Sequence, residues 1–228
     1  MSGKIVVLAE HAAETVADTT YRRIRTDILA GRLAPSAKLK LEKLKADYGA
    51  SVSTLREILN RLASERLVVA EGQKGFQVSP VSVANLKEIA ALRLLLECDA
   101  IERSFKAGDV DWEARIVAAH HKLTRFEERM AAGVPDTAEQ WKRYDWEFHQ
   151  ALISACGSKT LIAAHAGVFD KYLRYMMTSL SFRGDISSNE HREMVDCAMR
   201  RDAAAACDSL RRHVEGGMSH ALALGKLR

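Results

Sequence analysis

Asp145 and His149 stand four residues apart in a stretch where Trp141, Phe148, Leu152 and Cys156 recur at helical spacing, so one turn of helix sets both polar side chains on the core-facing stripe. Two more histidines share this trait. His191 is followed by Met194, Val195 and Ala198 at helical intervals, and His213 falls on a face with Ala206, Leu210 and Gly217. A carboxylate and three imidazoles buried without partners would cost about 1–3 kcal/mol or more each. A divalent cation held by three neutral nitrogens and one oxygen removes that cost, and the ligand types favour Zn2+, with Ni2+ and Mn2+ as the other candidates. An isolated histidine on an apolar face is, however, ordinarily a hydrogen-bonded core residue. Phase alone would also nominate His165, in register with Leu161, Val168 and Tyr172. Spacing leaves both readings open.

Arg93 is the other charge set among apolar residues, in a run that is apolar nearly all round from 89 to 101. A guanidinium there needs an anion or several acceptors; Glu97, one turn on, is the nearest partner, and an anionic ligand is the alternative.

A second chemistry is written near the other end of the chain. Tyr21, Ile24, Ile28 and Leu29 share one face of a helix that Thr20 can cap and that ends near Gly31. Leu41, Leu44 and Tyr48 follow in register up to Gly49, and after Ser51 come Val52, Leu55, Ile58, Leu59 and Leu62. That is helix, turn, helix, a spacing that also arises in small helical bundles. Residues 67–70 and 76–79 are strand-like and separated by a glycine-bearing reversal, which makes a wing. Ser53, Thr54 and Arg56 lie off the apolar stripe near the start of the third helix, with Asn60 one turn on; a helix entering the major groove reads bases from there.

The elements that must position these residues follow from composition and breaks. The chain has 228 residues, 47% hydrophobic and 6% aromatic, with three prolines. Those values predict a mostly α protein of two domains, residues 1–80 with a polar leader and residues 81–228. The first 80 residues hold 13 Lys and Arg against 9 Asp and Glu, whereas the remainder holds 21 of each sign. All the excess positive charge thus sits with the helix-turn-helix, as phosphate contact requires. Beyond Val83, breaks near 108, 133–135, 157, 184 and 201–202 divide the sequence into six helices, which a bundle arranges most economically. The four cysteines are far apart and read as buried, reduced thiols. The apolar run at 5–9 is too short for a membrane span or signal core, so no membrane association and a cytoplasmic location are expected.

Residues 49–68, GASVSTLREILNRLASERLV, resemble the recognition-helix signature of the GntR family of regulators, and Gly75-Phe76-Gln77-Val78 resembles its wing. The resemblance covers about residues 19–80 and implies a winged helix-turn-helix that grips double-stranded operator DNA. It assigns contacts to Arg56, helped by Ser51, Ser53 and Thr54, and brings the wing to the minor groove near Gly72 and Lys74. Val52 stands where many members carry Arg, and Glu42 where a basic residue is common, so the resemblance implies DNA binding without fixing the operator sequence.

Asp145-Trp-Glu-Phe-His149, Glu190-His191-Arg192 and Arg212-His213, in that order, resemble the Asp and three His of the metal-binding FCD domain in the family's FadR branch. Six helices rather than seven bring it closer to the VanR-like subgroup, and His165 matches none of the family's ligands. The resemblance implies a homodimeric repressor released from its operator by a small carboxylate effector, tilted toward short dicarboxylates, with Arg93 beside the metal as an effector-binding residue. The rival from another class is a metal-dependent hydrolase using the same Asp/His site. Against it stands the lack of a general base in an H-E-x-x-H context, since Glu147 and Glu190 are expected to point elsewhere on their helices.

Overall fold

The computed structural model describes residues 15–72, 75–179 and 182–225; Lys74 and the leader, with its apolar run at 5–9, lie outside them. The first helix, α1 (Val16–Leu29), starts five residues earlier than expected, because Thr15 rather than Thr20 caps it. The Thr15 hydroxyl accepts the free Asp18 N–H at 3.1 Å. Thr20 lies one turn below Ile24 and two below Ile28, on the buried face. A two-residue strand, β1 (Lys38–Leu39), precedes α2 (Leu41–Tyr48), which ends at Gly49 in the left-handed region (φ 71°). Then α3 (Val52–Ser64) follows, its stripe of Leu55, Ile58, Leu59 and Leu62 buried against α1 and α2.

The wing is the hairpin of β2 (Val68–Ala70) and β3 (Phe76–Val78), antiparallel, with Val69 opposite Gln77. On its other edge β3 pairs with β1, giving the order β1-β3-β2. β1 was not expected, since two residues carry no alternation to read. The core of this head is aliphatic and forms a cluster of its own.

Six helices make the rest: α4 (Val83–Ala107), α5 (Val110–Ala131), α6 (Ala138–Ile153), α7 (Lys159–Ser179), α8 (Asp185–Met199) and α9 (Ala203–Ala223), at the breaks expected. Ser82, Asp109 and Asp202 cap three of them by accepting backbone N–H groups. Gly108 separates α4 from α5 where a side chain would not fit: a Cβ there would lie 2.4 Å from the Trp112 ring. α4 packs along α7 and α9, α5 along α6 and α8, and α8 along α9, around one continuous apolar cluster. Cys156, Cys197 and Cys207 are buried thiols, while Cys98 is only half-buried, and all four are free. No described helix is long and apolar enough to cross a membrane.

Candidate metal centre and DNA-facing surface

The bundle converges on four side chains. Asp145 and His149 project from α6, His191 from α8 and His213 from α9, all buried, with one ligand atom from each within 4.8 Å of the others. Each imidazole is held by its far nitrogen. His149 Nδ1–H donates to Glu97 Oε1 on α4 at 2.5 Å, His191 Nδ1–H to Glu127 Oε1 on α5 at 2.7 Å, and His213 Nδ1–H to Glu190 Oε2 on α8 at 2.9 Å. A carboxylate behind each ring fixes its tautomer and turns Nε2 inward. Asp145 Oδ1 lies 3.4 Å from His191 Nε2 and 3.9 Å from His149 Nε2. These three atoms are buried and lack hydrogen-bond partners.

Such orphaned atoms are the test of fit for a cation. Buried polar groups ordinarily find partners, and three of them facing one another without any is what a ligand set presents. The charges agree. Burial would raise Asp145, but Lys142, whose Nζ is 3.4 Å from Oδ2, and the imidazoles hold its carboxyl well below the usual range. Burial, then the neighbouring His191, pushes His213 down to about 3, and burial also lowers His149 despite Glu97. Burial would likewise lower His191, yet Asp145 and Glu127 lift it to about 9. Two rings therefore offer free lone pairs, and the third exchanges a proton for a cation.

Arg93 is 1% exposed and pairs with Glu97, its Nε donating to Oε2 at 2.9 Å. Its guanidinium also stacks on Phe169 and Tyr172, and Nη2 has no partner. Burial favours the neutral form of Glu97, yet Arg93, His149 and His165 hold it well below the usual carboxylate range. His165 is thereby explained without a metal. Its Nε2–H donates to Glu97 Oε2 at 2.9 Å, and Nδ1 accepts from Gln150.

Glu190 corrects an expectation, since it reaches both His213 and Arg183, whose Nη2 lies 2.5 Å from it. The phase of α8 alone hides this contact, which depends on how α8 lies against α9. Sequence reasoning does not single out Glu127; its place on the stripe of Trp112, Ile116, Ala119 and Leu123 marks it as inward-facing but does not say which ring it backs. Beside the centre lies a narrow cavity with room for about one water-sized body, about 10 Å³, lined by Lys142, Asp145, Tyr172, Arg183, Ser187 and His213 among others.

In the head, Ser53 and Arg56 are exposed on α3 and Thr54 is half-buried. Ser51 is the N-cap of α3: its Oγ accepts from Thr54 N–H at 3.2 Å and contacts the hydroxyls of Ser53 and Thr54. Gly72 is exposed at the wing with φ 58°, a conformation that favours glycine.

Comparison with known proteins joins the two halves. Residues 16–78 match the model of bacterial regulatory proteins of the gntR family, and residues 88–216 match the FCD domain. The chain is 36% identical over 213 residues to the uncharacterized HTH-type transcriptional regulator BphR of Paraburkholderia xenovorans (strain LB400), covering 92% of this chain and 87% of that protein. It is 30% identical to the HTH-type transcriptional repressor GlaR of Escherichia coli (strain K12), over 85% of this chain and 90% of the relative. The solved structure of E. coli McbR/YncC shares the fold, with a TM-score of 0.77 at 18% identity, over 92% of this chain and 98% of that one. The matched family and the two curated relatives are transcriptional regulators rather than enzymes, and nothing in them supports the hydrolase alternative. Carrying a gntR-type DNA-binding head and an FCD helical domain on one polypeptide, this chain belongs to the gntR family of bacterial transcriptional regulators.

Proposed function

We propose that the chain is a homodimeric, cytoplasmic repressor of the VanR-like subgroup, in which residues 1–80 grip operator DNA and residues 81–228 bind a divalent cation, Zn2+ before Ni2+ or Mn2+, and a short dicarboxylate. The observation that carries the sensing half is the trio of unpartnered atoms, Asp145 Oδ1, His149 Nε2 and His191 Nε2, each ring backed by a carboxylate. Bound there, the cation supplies coordination positions for a carboxylate oxygen. Arg93, with Nη2 unpartnered, and Lys142, whose one ionic partner among the described residues is Asp145, supply the neutralising charge. Lys142 also lines the groove where α6 and α7 face Thr26 and Leu29 of α1 and its C-cap Ala30, so a change in its partner is felt by the head. Two heads that must meet half-sites at fixed separation lose simultaneous contact when each shifts slightly. Arg56, Ser51, Ser53 and Thr54, with the wing at Gly72 and Lys74, make the DNA contacts in this reading. That GlaR is a repressor supports the sign of regulation.

The test combines metal content with operator release. Elemental analysis should find one cation per chain in the wild type and none in His149→Ala. Among small organic acids, short dicarboxylates should dissociate the metal-loaded protein from operator DNA in fluorescence anisotropy. A metal-loaded protein indifferent to every dicarboxylate would sink the sensing half; retention of metal by His149→Ala would sink the ligand set.

A further inference from the structure

Where the chain leaves the head for the bundle, a cavity of about 250 Å³ opens between the end of α3, the Ser79-Pro80 linker and the facing sides of α4 and α7. Three cations line it, Arg66 from the head and Lys171 and Arg174 from α7, against one carboxylate, Glu88. Arg174 is 5% exposed. Its Nη2 donates to the Ser79 carbonyl oxygen, and its Nε has no partner at all. Other buried cations of the bundle have a carboxylate: Arg93 has Glu97, and Lys142 has Asp145. Among the described residues none stands within ion-pair distance of Arg174, Lys171 or Arg66. Burial pulls the Arg174 guanidinium below its usual range, offset in part by the Tyr175 phenol and by no carboxylate.

A desolvated guanidinium that has no carboxylate partner and lines a cavity together with two more cations is the makeup of an anion site. The volume exceeds many times the roughly 10–15 Å³ that a single water needs, so a tetrahedral oxyanion fits with water around it. We propose that this cavity binds a phosphate-class oxyanion, held by Arg174 at its floor and by Arg66 and Lys171 at its rim. The occupant joins a head residue to two bundle residues across the linker and so stiffens the hinge on which the DNA-reading head is carried. A free phosphate and a phosphate of the DNA backbone share this chemistry. The site stands apart from the metal centre and does not depend on it.

The experiment uses the full-length protein. Thermal unfolding is followed in inorganic phosphate and in sodium chloride of equal ionic strength, and crystals are soaked in selenate to locate the anion by its anomalous signal. Phosphate should raise the melting temperature of the wild type, with half-saturation weakened about tenfold or more in Arg174→Gln. If Arg174→Gln does not fold, the double variant Arg66→Gln/Lys171→Gln, changed only at the rim, carries the same expectation. Metal content should be unchanged in each. If phosphate alone has no effect, but the rim variant lowers DNA affinity and the salt slope of binding by about one counterion, the oxyanion is a DNA phosphate. Equal phosphate responses in wild type and variants, or no phosphate response together with unaltered DNA binding, overturn the proposal.

Discussion

The head and the bundle put their polar residues to opposite uses. Among the described residues of the head, Thr20 is the one buried polar side chain, and the core is otherwise Ile24, Ile28, Leu55, Leu59, Leu62 and their like. The bundle buries Arg93, Glu97, Glu127, Lys142, Asp145, His149, His165, Arg174, His191 and His213. An aliphatic core is stable by itself and leaves the working residues outside, on α3 and the wing. A core threaded with charges is stable only when each finds a counterpart, and a ligand can be one of those counterparts. In the proposed function the head is thus a reader whose core needs no ligand, whereas the folding of the bundle would be linked to what it binds.

Leu59→Ala offers the harshest break of this comparison. It should cost the head about 2–5 kcal/mol by leaving a cavity under α3, abolishing operator binding while elemental analysis still finds metal in the bundle. Loss of metal in this variant would mean that the two units are not separable in stability. A smaller effect is expected from Glu127→Gln, which keeps the shape behind His191 but weakens its acceptor. Metal affinity, measured by chelator competition, should fall about 10–100-fold. Unchanged affinity would show that the carboxylates behind the rings do not tune the centre. Arg56→Ala should touch stability least, shifting unfolding by no more than about 0.5 kcal/mol. Its effect belongs to DNA: weaker binding, and a salt slope reduced by about 1. A stability loss without a change in slope would move Arg56 from the reading surface to the scaffold.

Much of this division was legible in the residue order. Stripe and break placed all six bundle helices, because their apolar faces are long and glycines or capping residues interrupt them. The same phase turned Asp145, His149, His191 and His213 inward, and the structure brings them together. Phase could not say what stood behind each ring, since Glu97, Glu127 and Glu190 reach them from neighbouring helices. Glu190 was misjudged for this reason, and Arg183 and Lys142 passed unnoticed. The start of α1 was misplaced because Thr15 and Thr20 are both good caps, and only the packing of Thr20 beneath Ile24 decides between them. Arg174 lies on α7 among Val168, Tyr172 and Tyr175 and resembles any long side chain that could reach solvent; the linker that covers it is close in space and distant in sequence.

The two apolar cores are separate clusters, and the named bonds between head and bundle are polar: Arg25 to Asp170, Arg32 to Glu139, and Arg174 to the Ser79 carbonyl. Pairs as exposed as Arg32 and Glu139 are weakened by dissolved ions. Ionic strength therefore acts on this regulator twice, at the duplex and at the joint. Its binding curve against salt should fall more steeply than the number of phosphates it touches accounts for.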